Sequence, residues 1–132
     1  MKSGLTTSIS SPTPAPIAQS PERMSTEQAA SVSSAAFAGL LEQLGYLDAD
    51  DIDRVHRAYL FADRAHSGQW RSSGDPYITH PIAVTGICAS WKLDAPALMA
   101  ALLHDAMEDC GVTKADLVER FGDDVAELVD GL

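Results

Sequence analysis

The sequence has no long apolar run, few basic residues and only two cysteines. No apolar stretch approaches the roughly 18 to 20 residues that a transmembrane helix needs, and residues 1–25 lack the apolar segment of a secretory signal. We therefore expect no membrane association. Cys88 and Cys110 are 22 positions apart, without the CxxC spacing of redox or thiolate zinc sites. We expect both to be free thiols in a cytoplasmic protein.

The scarcity of basic residues excludes a broad polyanion-binding face. Nine Lys and Arg against 19 Asp and Glu give a formal net charge of −10, and a field of that sign repels phosphate backbones. We expect no nucleic-acid partner. At 132 residues, 45% of them hydrophobic, the chain can build one modest domain but not two.

The first quarter of the chain differs in composition from the rest. Residues 1–34 contain nine Ser and four of the seven Pro, without periodic apolar spacing. Such a composition cannot offset the entropy of ordering the backbone. We predict a disordered tail over residues 1–34 and a folded domain over residues 35–132.

Apolar spacing in the remainder predicts helices throughout and no β-strand. A short helix starts at Ala35, and a second, whose start is favoured by the carboxylates of Asp48, Asp50 and Asp51, runs to about His66. Residues 67–79 are rich in Gly, Ser and Pro and predict a loop. Four further helices are expected after this loop. Their start signals are Pro81 as the first residue of the third helix, Asp94 as the cap of the fourth, the Thr113–Asp116 capping box of the fifth, and Asp123 or Asp124, after Gly122, for the sixth.

The last predicted helix presents an apolar face immediately before the chain stops at Leu132. An unfinished face of this kind needs cover. We expect either self-association or downstream domains of a longer polypeptide to supply it, and we favour the longer polypeptide.

Four polar residues follow the most apolar helix at the point where its pattern predicts core: His104, Asp105, Glu108 and Asp109. On a helix they project from one contiguous surface. Three crowded carboxylates repel one another, and a bound divalent cation would relieve that repulsion. His80, at the start of its own helix, is the natural second imidazole. This donor set is compatible with manganese, iron or zinc, and the alternative is a solvated helix end.

The joint spacing of several motifs resembles the N-terminal hydrolase domain of the RelA/SpoT (p)ppGpp synthetase/hydrolase family. The similarity covers roughly residues 51–132 and is carried by R-S-S-G-D-P-Y-I-T-H-P (71–81), A-A-L-L-H-D (100–105), E-D (108–109), and the shorter matches A-Y (58–59), A-H (65–66), G-Q (68–69), L-D (93–94) and F-G (121–122). The match is to SpoT-like members more than to RelA-type members, whose hydrolase site is degenerate. The resemblance implies an all-α bundle of the HD-domain type.

The resemblance also implies roles for individual residues. His80, His104 and Asp105 would ligate Mn²⁺, and Glu108 and Asp109 would position or activate water. Arg71 would bind the nucleotide, with Ser73 shaping the same pocket.

The implied substrate is guanosine tetraphosphate or pentaphosphate. Its 3′-pyrophosphate would be removed to give GDP or GTP and pyrophosphate.

Two departures from the family pattern qualify this expectation. The family's fourth metal ligand is an Asp in a later D-R-x-H-N-like segment, which the chain does not reach, so full activity would require residues beyond Leu132. Cys110 also stands where Thr is usual. The alternatives to a hydrolase are a catalytically incomplete regulatory or interaction module, or a fragment of a bifunctional synthetase/hydrolase.

Overall fold

The computed structural model describes residues 24–132, and this part of the chain forms six α-helices and no β-strand. The helices are α1 (Thr26–Leu41), α2 (Ala49–Ala65), α3 (Thr79–Ser90), α4 (Ala95–Asp109), α5 (Lys114–Phe121) and α6 (Asp123–Asp130). The all-α prediction is confirmed. None of these helices has the length and apolarity needed to cross a bilayer.

The first helix begins nine residues before the predicted boundary. α1 starts at Thr26, so the assignment of residues 26–34 to a disordered tail was wrong. Ser25 and Gln28 form a reciprocal capping box, in which the Ser25 side chain accepts from the Gln28 N–H and the Gln28 side chain accepts from the Ser25 N–H. Two otherwise unpaired donors are satisfied by this box. The rest of the predicted tail, residues 1–23, lies outside the described residues.

The predicted caps of the later helices are confirmed. The Asp94 side chain accepts from the Ala97 N–H, and Thr113 and Asp116 form a second capping box. Gly122 ends α5 with φ of +95°, a conformation that favours glycine.

The start of α3 differs from the prediction. Pro81 is the third residue of the helix and not the first, because the backbone already turns at Pro76, to whose carbonyl the Thr79 N–H donates a hydrogen bond. Proline fits there since the first four N–H groups of a helix have no partner within it. His80 therefore lies inside the first turn of α3.

Helix α4 forms the centre of the fold, in contact with α2, α3 and α6. Seven of its fifteen residues are buried: Ala95, Leu98, Met99, Ala100, Leu102, Leu103 and Ala106. Because this helix is covered on several sides, its axis and the direction of its last turn are fixed by packing.

Some apolar side chains remain on the surface. Val125 and Val129 of α6 are buried, whereas Leu128 is 44% exposed and Leu132 is 69% exposed. Val84 and Ile87 on α3 are also exposed, as is Trp91 directly after this helix. The expectation that a partner or a further segment covers an apolar face stays a prediction.

Replacement of Leu102 by Ala should destabilise the fold by about 2–5 kcal/mol, because a fully buried side chain would leave a cavity in the centre. Leu60→Ala is the matched control, since Leu60 is 50% exposed and should lose less than about 1 kcal/mol. Urea unfolding followed by circular dichroism measures both. Equal losses would contradict the central position of α4.

Candidate active site

The last turn of α4 and the first turn of α3 bring two histidines to one aspartate. Asp105 Oδ2 lies 3.8 Å from His80 Nε2, and Asp105 Oδ1 lies 3.4 Å from His104 Nδ1. The Asp105 side chain is 19% exposed, and His80 is 43% exposed. The three predicted metal ligands are therefore neighbours, and solvent reaches them.

Glu108 is 60% exposed, and its carboxylate contacts a neighbouring histidine. Its Oε2 lies 2.7 Å from His104 Nε2, the i,i+4 contact that helical geometry favours. Both ring nitrogens of His104 thus face carboxylate oxygens. Asp109 is exposed at the end of the same helix.

The donor types fit a divalent cation, although the side chains are arranged as a hydrogen-bonded cluster. Within residues 24–132, no group of three or more His, Cys, Asp or Glu side chains is placed to hold a metal ion as it stands. In this arrangement the Nε2 of His104 faces Glu108, and its Nδ1 faces Asp105. The cluster nevertheless contains the donor types that a divalent cation binds, two imidazoles and several carboxylates. In the described part of the chain, these carboxylates form no ion pair with Lys or Arg.

Tyr77 is a member of this cluster to which the sequence analysis assigned no role. Its hydroxyl donates to Asp105 Oδ2 over 3.0 Å. Burial, followed by this hydrogen bond and the charges of Asp105 and Asp109, raises the pKa of Tyr77 to about 12. The phenol is therefore protonated at neutral pH and donates a hydrogen bond to the carboxylate. Its position three residues before His80, in the predicted loop, was the available signal.

A second polar cluster ties the loop to the end of α4. His66 is 2% exposed, and its Nδ1 lies 3.0 Å from Gln69 Oε1 and 3.3 Å from Cys110 Sγ. Gln69 Nε2 donates to the same sulfur over 3.4 Å. These contacts join the end of α2, the loop and the C-cap of α4. Cys88 and Cys110 are both free thiols, as predicted.

The loop between α2 and α3 is a compact turn. The Arg71 N–H donates to the Asp75 carbonyl, and the Gly74 N–H donates to the Arg71 carbonyl, each over 2.9 Å. Ser73 Oγ donates to Asp75 Oδ2 over 3.2 Å. Arg71 and Ser73 are thus exposed at the tip of the turn. The positive charge of Arg71 opposes, without outweighing, the effects that raise the pKa of Tyr77.

An apolar groove of about 360 Å³ leads away from the cluster between α3, α4 and α6. His80, His104 and Asp105 lie at one end of it, and the remaining lining is mostly apolar: Pro81, Val84, Cys88, Leu93, Ala97, Ala100, Ala101, Leu128 and Leu132. The cluster therefore opens onto an apolar surface.

Residues 58–132 match the HD domain family. The chain is also 58% identical over 87 residues to the bifunctional (p)ppGpp synthase/hydrolase SpoT of Escherichia coli K12, in a match that covers 66% of this chain and 12% of that protein. A guanosine-3′,5′-bis(diphosphate) 3′-pyrophosphohydrolase of Haemophilus influenzae is 58% identical over 73 residues, which is 55% of this chain and 11% of the relative.

A GTP pyrophosphokinase of Streptomyces coelicolor is 50% identical over 86 residues, covering 65% of this chain and 10% of the relative. The chain thus corresponds to about a tenth of the length of each of these curated relatives.

Gly74 should resist substitution because its φ is +94°, although an added Cβ would meet nothing within 4 Å. Gly74→Ala is expected to destabilise the protein by about 1–2 kcal/mol through backbone strain. Gly39→Ala is the matched control, because Gly39 lies in α1 with equally open surroundings. That change should stabilise by about 0.5–1 kcal/mol. Thermal unfolding measures both, and a stabilising Gly74→Ala would refute the turn geometry.

Proposed function

The chain belongs to the HD-domain family, and from that premise we propose that it hydrolyses ppGpp or pppGpp at the 3′ position. The observation that carries this proposal is the meeting of His80, His104 and Asp105 at one end of α4, with Glu108 and Asp109 on the following turn. Relatives named guanosine-3′,5′-bis(diphosphate) 3′-pyrophosphohydrolase support the choice of substrate.

His80, His104 and Asp105 would hold the cation, which we propose to be Mn²⁺. A divalent ion at this position lowers the pKa of bound water and neutralises charge on phosphoryl oxygens. His104 would have to release Glu108 before its Nε2 could serve as a ligand, because the two atoms are 2.7 Å apart. Once released from His104, the Glu108 carboxylate would be free to orient the attacking water.

The proposed reaction consumes one water molecule. The water oxygen bonds to the phosphorus attached to the 3′ oxygen, and that phosphorus–oxygen bond breaks, giving GDP or GTP and pyrophosphate. Glu108 and Asp109 would orient the water and accept its proton, since carboxylates are competent general bases within hydrogen-bond reach. The leaving 3′ oxygen takes up a proton to become the hydroxyl of the product.

Substrate binding must overcome the acidic character of the site. The net charge of −10 and the carboxylates at the end of α4 repel a nucleotide with four or five phosphates. Arg71 at the tip of the turn would offset this repulsion with a planar guanidinium that can pair with phosphate or stack on guanine. Ser73, also exposed at the tip, would supply a hydroxyl to the same pocket.

A nucleotide substrate of this kind also bears on where the protein acts. We propose a cytoplasmic location, because the substrate is a highly charged nucleotide and both cysteines are free thiols.

A non-catalytic regulatory module is the second candidate. It is favoured by one observation, the lack of a ready-made three-ligand metal site within residues 24–132. The two candidates differ in a measurable way. Binding of Mn²⁺ together with release of pyrophosphate from ppGpp excludes the regulatory module, and their joint absence in the full-length protein excludes the hydrolase.

His104→Ala and Asp105→Ala should each reduce pyrophosphate release by more than about 100-fold, because loss of a ligand removes several kcal/mol of charge stabilisation. The measurement is pyrophosphate release from ppGpp with Mn²⁺ in the full-length protein. His56→Ala is the control, since His56 lies exposed on α2, and its activity should match the parent. Unchanged turnover in either site variant would contradict the assignment.

A further inference from the structure

The phenol of Tyr77 contacts the one carboxylate that faces both histidines of the cluster. We propose that Tyr77 is a positioning residue: its hydroxyl fixes the rotation of the Asp105 carboxylate and thereby sets the affinity of the site for a divalent cation. The inference rests on the proposed function for the cation site, but it concerns a residue outside the ligand set.

The two oxygens of Asp105 have different neighbours. Oδ2 accepts the Tyr77 hydroxyl over 3.0 Å and lies 3.8 Å from His80 Nε2, whereas Oδ1 lies 3.4 Å from His104 Nδ1. The terminal torsion of an aspartate has broad, two-fold preferences and little intrinsic rigidity. A directional hydrogen bond from Tyr77 therefore restricts the rotation of the carboxylate plane between the two histidines.

Tyr77 is itself held in place from two sides. Its backbone N–H donates to the Gln69 carbonyl over 2.9 Å, and its ring lies 4.9 Å from the ring of buried His66. The flanking residues Pro76 and Ile78 are buried. The ring that carries the hydroxyl is thus already fixed. Formation of the hydrogen bond to the carboxylate therefore costs little conformational entropy.

The cluster of His66, Gln69 and Cys110 extends this support to α4. Because Gln69 contacts both His66 and Cys110, the loop that carries Tyr77 is attached to the helix that carries Asp105. The donor and the acceptor of the Tyr77–Asp105 hydrogen bond are therefore held at a set separation by contacts other than the bond itself.

Outer hydrogen bonds of this kind typically change metal affinity by about 10- to 100-fold when they are removed, because the ligand loses its orientation. Tyr77→Phe deletes only the hydroxyl and leaves the ring against His66. We expect Tyr77→Phe to bind Mn²⁺ about 10- to 100-fold more weakly than the parent, as measured by calorimetric titration of the full chain with Mn²⁺ alone.

Tyr46→Phe is the matched control. The Tyr46 hydroxyl also donates a tertiary hydrogen bond, to the Leu93 carbonyl over 2.6 Å, but it has no contact with the cluster. This variant should bind Mn²⁺ with an affinity within about 2-fold of the parent, a difference well below the effect expected of an outer hydrogen bond. Circular dichroism of both variants without metal should show the helix content of the parent.

The possible results separate this inference from the proposed function. Equal Mn²⁺ affinities of the parent and Tyr77→Phe would overturn the positioning role while leaving the cation site in place. No Mn²⁺ binding by the parent would overturn both. An equal loss in Tyr46→Phe, or loss of helix content in Tyr77→Phe, would also overturn the positioning role, because the hydroxyl would then act on the fold in general.

Discussion

The burial of α4 is the constraint on which the site depends. Leu98, Leu102 and Leu103 are fully buried in the centre of the domain, so the helix can neither rotate nor slide without opening cavities. Its last turn continues the same axis into a polar sequence. The core therefore fixes the direction in which His104 and Asp105 project, and α3, packed on α4, brings His80 to meet them.

The same end of α4 concentrates negative charge. Asp105, Glu108 and Asp109 lie within a stretch of five residues. The side chains that contact these carboxylates include a histidine and a tyrosine. His104 contacts Glu108, and Tyr77 donates to Asp105. These contacts satisfy individual oxygens but add no permanent positive charge, and a divalent cation would supply that charge. Charge, donor type and position thus support the same interpretation of the site.

Local signals were sufficient wherever one side chain or one backbone conformation determines the structure. Asp94, the Thr113 capping box and Gly122 were identified because each satisfies an end of a helix by itself. The start of α1 was missed because the Ser and Pro content of residues 1–34 as a whole outweighed the capping box at Ser25. The start of α3 was displaced by two residues because the turn at Pro76 depends on the loop as a whole.

The candidate site shows the same limit. His104, Asp105 and Glu108 could be placed on one helical surface from their spacing, and His80 was assigned to the site from its helix start. The i,i+4 spacing of Glu108 and His104 allowed their direct contact, but the sequence alone led us to assign Glu108 to water instead. Spacing did not reveal the Tyr77 hydrogen bond, because that contact joins positions 28 residues apart through the packing of the loop. Long-range contacts of this kind follow from tertiary structure and have no local pattern.

The central claim is that two imidazoles and the Asp105 carboxylate share one divalent ion. Pulsed electron paramagnetic resonance of Mn²⁺ added to the protein tests it most directly, because nitrogen ligands couple to the electron spin of the metal. A shared ion would show couplings from two histidine nitrogens, one of which disappears in His80→Ala. A spectrum with oxygen ligands only, or one that is unchanged in His80→Ala, would contradict it.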